Sequence, residues 1–270
     1  MTPTLAARDT AAARSPADVY EQQFVPALFR QWGPRLCEAA QVVPGQRVLD
    51  VACGTGALTT TVAERVAPGG AAIGLDANPQ MLAVARRIHA GIEWREGRAE
   101  ALPFPDASFD AVVSQFGLMF FDDRTKALRE MQRVLRPGGP LVVAVCDALE
   151  NSPGYAALAA LLDRLFGTTV GDAFRAPFVL GDEGRLLALC ATAGVRDAKV
   201  VQRQGTVRFD SVDALVSTER ACVWTLGGLL DDAQFARLRT EAQPVFEPFI
   251  EPGGQVAFAM PALLICADKR

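Results

Sequence analysis

Two glycines and one acid carry the first chemical signal. Gly54 and Gly56 come directly after Val48-Leu49-Asp50-Val51-Ala52-Cys53, and Asp76 closes the next apolar run, residues 71–75. A residue without a Cβ lets a ligand rest against the main chain where a side chain would collide. A carboxylate at the end of the neighbouring strand accepts hydrogen bonds from both hydroxyls of a ribose. Together these types at this spacing describe a nucleoside site. A Gly-X-Gly pair alone also occurs in ordinary tight turns, and Thr59 stands where a dinucleotide fingerprint has its third glycine.

The elements that hold these residues follow from the pattern around them. Val48, Leu49 and Val51 form a short β-branched run bounded by Pro44-Gly45, which predicts a buried parallel strand. Leu58, Val62, Ala63 and Val66 share one face of a helix that opens right after the turn. Further strands are expected over 92–95, 109–114 and 141–146. Helices opened by Asn78-Pro79 and by Asp122-Asp123 lie between them, the second stopped by Pro137-Gly138-Gly139. Alternating strand and helix predicts an α/β, doubly wound, mostly parallel sheet. Such a sheet presents its ligand crevice at the carboxyl ends of its strands. Gln115 and Phe116 stand at such an end and are read as cavity lining, while Phe120 and Phe121 are read as core. Asp147 stands at another and is the candidate proton acceptor. His89, the one histidine, falls at the far end of its helix and is read as a surface residue.

Beyond 148 the pattern predicts helices over 152–166, 182–193, 212–230 and 232–249, a strand over 199–209 and a last strand over 256–268. Two helical insertions, one after the fifth strand and one before the last, form a cap over the crevice. Phe174, Phe178, Trp224 and Phe246 are candidates to face a second ligand, with more of them expected in the core. At the other end, residues 1–15 are read as a mobile tail, and Ser15 with Pro16 as a helix start.

Composition narrows the function. The chain has 270 residues, half of them hydrophobic, with a net charge of −4. It has no basic stretch interleaved with aromatics, so nucleic acid is an unexpected partner. Its six cysteines have no paired short spacing, which excludes a zinc-ligand pattern and a disulfide framework. No apolar run reaches the roughly 20 residues of a membrane span, so no stable membrane insertion is expected. A soluble, cytoplasmic protein is expected.

Four stretches in order carry a family resemblance: 48–56, Gly74-Leu-Asp-Ala-Asn-Pro-Gln-Met-Leu82, residues 97–110 with Leu102-Pro-Phe-Pro105, and Arg133-Val-Leu-Arg-Pro-Gly-Gly139. They resemble the class I S-adenosylmethionine-dependent methyltransferases, with the best likeness to the ubiquinone/menaquinone biosynthesis branch. The resemblance spans roughly residues 42–147. It implies a Rossmann-like, seven-stranded sheet with helical cap insertions, and S-adenosyl-L-methionine as co-substrate. It divides the chain into a tail and cofactor-covering helices (1–41), a cofactor-binding core (42–147), and cap insertions with the final strands (148–270).

The resemblance also carries the cofactor site onto Tyr20 and Phe24 in the covering segment. Asp50, Ala52, Gly54, Gly56 and Leu58 follow around the turn, then Asp76, Ala77 and Met81, then Ala99 and Glu100, then Gln115 and Phe116. Where the family has an acidic residue for adenine, this chain has Arg98, which cannot accept a hydrogen bond. Adenine recognition then falls to Ala99 backbone groups, to Glu100, or to stacking on Arg98. The implied activity is in-line methyl transfer to O, N or C of a small, largely apolar acceptor, catalysed by positioning and exclusion of water. No metal is expected, and a monomer or homodimer is. The alternatives are a catalytically silent binder of the same co-substrate and a nicotinamide-dependent oxidoreductase.

Overall fold

The computed structural model describes residues 15–222 and 224–270. The tail expected over 1–15 lies outside them, apart from Ser15. Seven strands make one sheet: β1 (Arg47–Val51), β2 (Ala71–Asp76), β3 (Glu93–Glu96), β4 (Ala111–Gln115), β5 (Pro140–Cys146), β6 (Lys199–Arg203) and β9 (Ala262–Asp268). Their order is β3-β2-β1-β4-β5-β9-β6. The β1, β2, β3, β4 and β5 ladders are parallel, and β9 runs antiparallel between β5 and β6. The order reverses between β1 and β4, so a crevice opens at their carboxyl ends. The central strands are apolar on both faces because helices cover both.

The first helical segment begins at α1 (Pro16–Val19), which Ser15 caps in a reciprocal pair with Asp18. It continues through a π-helical stretch, Tyr20–Phe29, and a 3-10 turn, Arg30–Trp32, into α2 (Gly33–Ala39). Gly33 and Pro34 form the first turn of α2. The irregular stretch lies upstream, where Pro26 has no N–H to donate. Helices α3 (Ala57–Val66), α4 (Pro79–Ile88) and α5 (Arg124–Val134) follow β1, β2 and β4 as expected. Asn78 and Asp123 cap α4 and α5 by accepting backbone N–H bonds.

After β5 come α6 (Pro153–Phe166), α7 (Thr168–Arg175) and α8 (Glu183–Ala193). The strand expected over 199–209 is two strands in different sheets: β6 and β7 (Thr206–Phe209). They part at Gly205, where a Cβ would stand 2.3 Å from the Trp32 ring. The strand expected over 256–268 likewise splits into β8 (Val256–Ala259) and β9 around Pro261, and β7 pairs with β8 in a separate ribbon. Between β7 and β8, α9 (Val212–Ala221) ends well short of the helix expected to reach 230, while α10 (Asp232–Phe246) runs through Pro244. Helices α6, α7, α9 and α10 pack on one another and form the cap. Among the described residues no helix is long and apolar enough to cross a membrane.

Candidate functional site

The turn after β1 is built from unusual backbone. Ala52, Gly54 and Gly56 all take positive φ, at 59°, 56° and 97°. Only glycine adopts this region without strain, so Ala52 stores strain at the crevice. Phe116, at the end of β4, does the same at φ 54°. The two strand ends touch here: a Cβ on Gly117 would lie 2.6 Å from that of Ala52.

Asp76 at the end of β2 pins the turn. One carboxylate oxygen accepts the Gly54 N–H and the other the Asn78 N–H, each at 2.8 Å. Burial pushes this carboxyl above its ordinary range while those amides pull it back. A carboxylate offers about four lone-pair sites, so two remain for a diol. Beneath the turn, Asp50 accepts the Thr59 hydroxyl at 2.6 Å. Its other oxygen has no partner among the described residues, and burial pushes the carboxyl up to about 7.

The two glycines face opposite ways. Gly54 opens on the cavity, with Tyr20 at 3.7 Å from where its Cβ would be. Gly56 turns away from it: its Cβ would fall 2.4 Å from the Trp94 ring. Both glycines are expected to make room for a ligand; Gly54 lies on the cavity, whereas Gly56 makes room for Trp94.

A cavity of about 520 Å³ opens over this turn, within the range of small-molecule sites. It brings together Tyr20, Phe24, Ala52, Gly54, Asp76, Ala77, Met81, Ala99, Glu100, Gln115 and Phe116. Asp50, Gly56 and Leu58 are not on its surface; the first and last are buried beneath the turn. Tyr20 stacks on Phe29 with ring centroids 5.2 Å apart, and Phe29 lies 5.5 Å from Phe116, so the covering segment roofs the turn with aromatics. Gln115 donates to the Phe29 carbonyl, and its buried Oε1 is unpartnered among the described residues.

At the rim, Arg98 pairs with Asp122 and lies 3.4 Å from Glu100. Glu100 is itself committed: it accepts the Asp122 amide at 3.0 Å. The Ala99 amide has no recorded partner among the described residues. Of the expected ways to read an adenine, the Ala99 backbone is thus the one left open, while Arg98 and Glu100 serve each other and Asp122.

Asp147 does not reach the cavity. Its oxygens accept the Ala148 amide at 2.7 Å and the Gln202 side chain at 2.5 Å, which ties β5 to β6. That placement corrects its reading as the proton acceptor. Phe120 corrects too: it is exposed at the mouth, 6.1 Å from Trp224, and not in the core. The cap aromatics fall mostly on the cavity. Phe174, Phe178 and Trp224 line it, and only Phe246 packs away, against Phe249 and Phe258. His89 lies outside the cavity, as expected.

One acid escaped the sequence reading. Glu219, in the last turn of α9, is 2% exposed and lines the cavity beside Tyr155, Cys146 and Cys222. Its one local signal is an acid among apolar residues of a helix, which many surface helices share. The cavity therefore carries Asp76, Glu100, Asp122 and Glu219 against Arg98 alone, which favours a cationic ligand. A sulfonium with an α-ammonium fits that field, and the glycine turn fits an adenosyl group.

The seven-stranded, mostly parallel sheet with helices on both faces is a Rossmann-like α/β fold. Residues 49–143 match the family described as methyltransferase domain. Among methyltransferases the chain resembles the ubiquinone/menaquinone branch. It is 46% identical to the ubiquinone/menaquinone biosynthesis C-methyltransferase UbiE of Xanthomonas campestris over 42% of this chain and 47% of that protein. It is 49% identical to the demethylmenaquinone methyltransferase of Thermus thermophilus over 42% of this chain and 53% of that one. The chain thus spans about half the length of the curated relatives it matches. Among solved structures, the YcgJ protein of Bacillus subtilis shares the fold, with a TM-score of 0.60 at 21% identity over 89% of this chain and 98% of that one.

Proposed function

We propose that this protein moves the methyl group of S-adenosyl-L-methionine to a small, largely apolar acceptor. The observation that carries the reading is the Asp76-pinned turn, open at Gly54 onto an acid-rich cavity at the β1/β4 switch point. Gly54, Asp76, Ala77 and Met81 hold the nucleoside, Tyr20 and Phe24 cover it, and the free Ala99 amide meets the base. When bound, the co-substrate supplies an activated methyl on a positively charged sulfur. The chain's own part is to align the acceptor and keep water out. Phe116, Phe174, Phe178 and Tyr155 do this with apolar rings.

The relatives' names point to a quinone-type acceptor. The lack of an unpaired cation among the described lining residues disfavours strongly anionic ones. Six free cysteines fit a reducing, cytoplasmic setting. Calorimetry with S-adenosylmethionine, its demethylated product and NAD, followed by a methyl-release assay over phenols, quinols and amines, tests the reading. Tight binding of the first two and turnover of one acceptor class are expected. Preference for NAD sinks it, and cofactor binding without turnover of any acceptor favours a silent binder.

A further inference from the structure

Glu219 is built into the cavity wall with one carboxyl oxygen unpartnered among the described residues. It lies on α9, far in sequence from the motifs that form the glycine turn, and is nearly fully buried. Its Oε2 finds no hydrogen-bond partner among the described residues. A buried polar atom without a partner is costly and calls for an explanation. The residue lines the cavity, which is where a further partner for the carboxyl enters. The surrounding wall is aromatic: Tyr155 meets Phe174 edge-on at 5.6 Å and Phe178 edge-on at 5.9 Å, and all three line the cavity.

We infer that Glu219 is the proton acceptor of the site, taking the proton of a hydroxyl on an acceptor ring seated against Tyr155, Phe174 and Phe178. This rests on the methyl-transfer reading above. The acceptor's O–H bond breaks, its proton passes to the Glu219 carboxylate, and the electron pair stays on the acceptor oxygen and its ring. That pair forms the bond to the methyl carbon, at oxygen or at a conjugated ring carbon, and the pair of the broken carbon–sulfur bond stays on sulfur. Carboxylate and sulfonium thus become carboxylic acid and thioether, and charge balances. In the ring-carbon case the carbon keeps its hydrogen until the ring tautomerises.

The surroundings suit a base that reloads near neutral pH. Burial pushes the Glu219 carboxyl up to about 7, while the Thr225 and Tyr155 hydroxyls pull it down. The titratable groups that face it are Tyr155 from α6, Cys146 from β5 and Cys222 beyond α9, all pushed up by burial and so neutral there. Arg98 is engaged at the rim by Asp122.

The test uses binding as well as turnover. Affinities of 1-naphthol and its methyl ether are measured with the full-length protein and Glu219→Gln, from pH 5.5 to 8.5, in the presence of S-adenosylhomocysteine. In the wild type, preference for the naphthol over its ether is expected to grow about tenfold as pH rises through 7. In Glu219→Gln the preference stays flat, with S-adenosylhomocysteine still bound normally. Tyr155→Phe removes a donor that favours the charged carboxyl, so the midpoint moves to higher pH. A wild type that treats naphthol and ether alike at every pH overturns the inference. So does a preference that survives unchanged in Glu219→Gln. Failure of the wild type to bind S-adenosylhomocysteine overturns the methyl-transfer reading with it, whereas normal binding with no hydroxyl preference removes Glu219's role alone.

Discussion

Asp76 and Gly54 are joined across neighbouring strand ends by a 2.8 Å hydrogen bond from the Gly54 amide to the Asp76 carboxylate. The acid read as a ribose anchor is thus also the clamp that shapes the glycine turn. Binding and folding at this point share one side chain.

Asp76→Ala is therefore expected to do two things. It removes the diol acceptor, so affinity for S-adenosylmethionine falls more than tenfold. It also frees two backbone amides, a loss of about 2 kcal/mol in stability from charge-assisted bonds. Asp76→Asn keeps one acceptor oxygen, and is expected to weaken binding with a smaller drop in melting temperature. Calorimetry and thermal unfolding read the two effects apart. Undiminished uptake by the alanine variant would remove the assignment of this site.

Alanine at the two glycines is expected to separate them. At position 54 the new Cβ meets only Tyr20, at 3.7 Å, and enters the cavity. Binding falls, with a stability loss of roughly 1–2 kcal/mol from the left-handed backbone. At position 56 the Cβ strikes the Trp94 ring at 2.4 Å, so the melting temperature falls further than at position 54. Indole fluorescence reports the Trp94 displacement in the second variant and not in the first.

Asp147→Asn is expected to leave methyl transfer within a few-fold of wild type. Its carboxylate is turned to Ala148 and Gln202 and away from the cavity. The change costs about 1 kcal/mol through a weakened hydrogen bond. A loss of kcat greater than a hundredfold at normal stability would restore Asp147 as the base.

Burying Glu219 makes stability depend on pH. Its carboxyl is pushed up from 4.5 to about 7 in the fold, so the native state holds its proton more firmly than the unfolded chain. The sign follows: the stabilising difference is full below about 4.5 and is lost as pH rises through about 7. Above that, burying the charge costs roughly 3 kcal/mol. Glu219→Gln, which has no charge to bury, is expected to melt above wild type at pH 8 and close to it at pH 4.5. Chemical denaturation at the two pH values measures the difference.

Local chemistry carried much of the fold into the sequence. β-branched runs, the Asn78 and Asp123 caps and the glycine turn act within a few residues, so their strands and helices are legible where they stand. The strand ends that hold Gly54, Asp76, Gln115 and Phe116 followed from the same alternation, and with them most of the nucleoside site. What the sequence could not decide were the meetings between distant segments. Trp94 from β3 determines that Gly56 faces inward, and Gln202 from β6 takes Asp147 out of the crevice. The return of α9 over the sheet brings Glu219 beside Tyr155, and the pairing of β7 with β8 breaks two apparently continuous strands. Periodicity and turn type are set by neighbours along the chain, but the face a side chain presents, and the water or partner it meets there, exists only once the whole chain has packed.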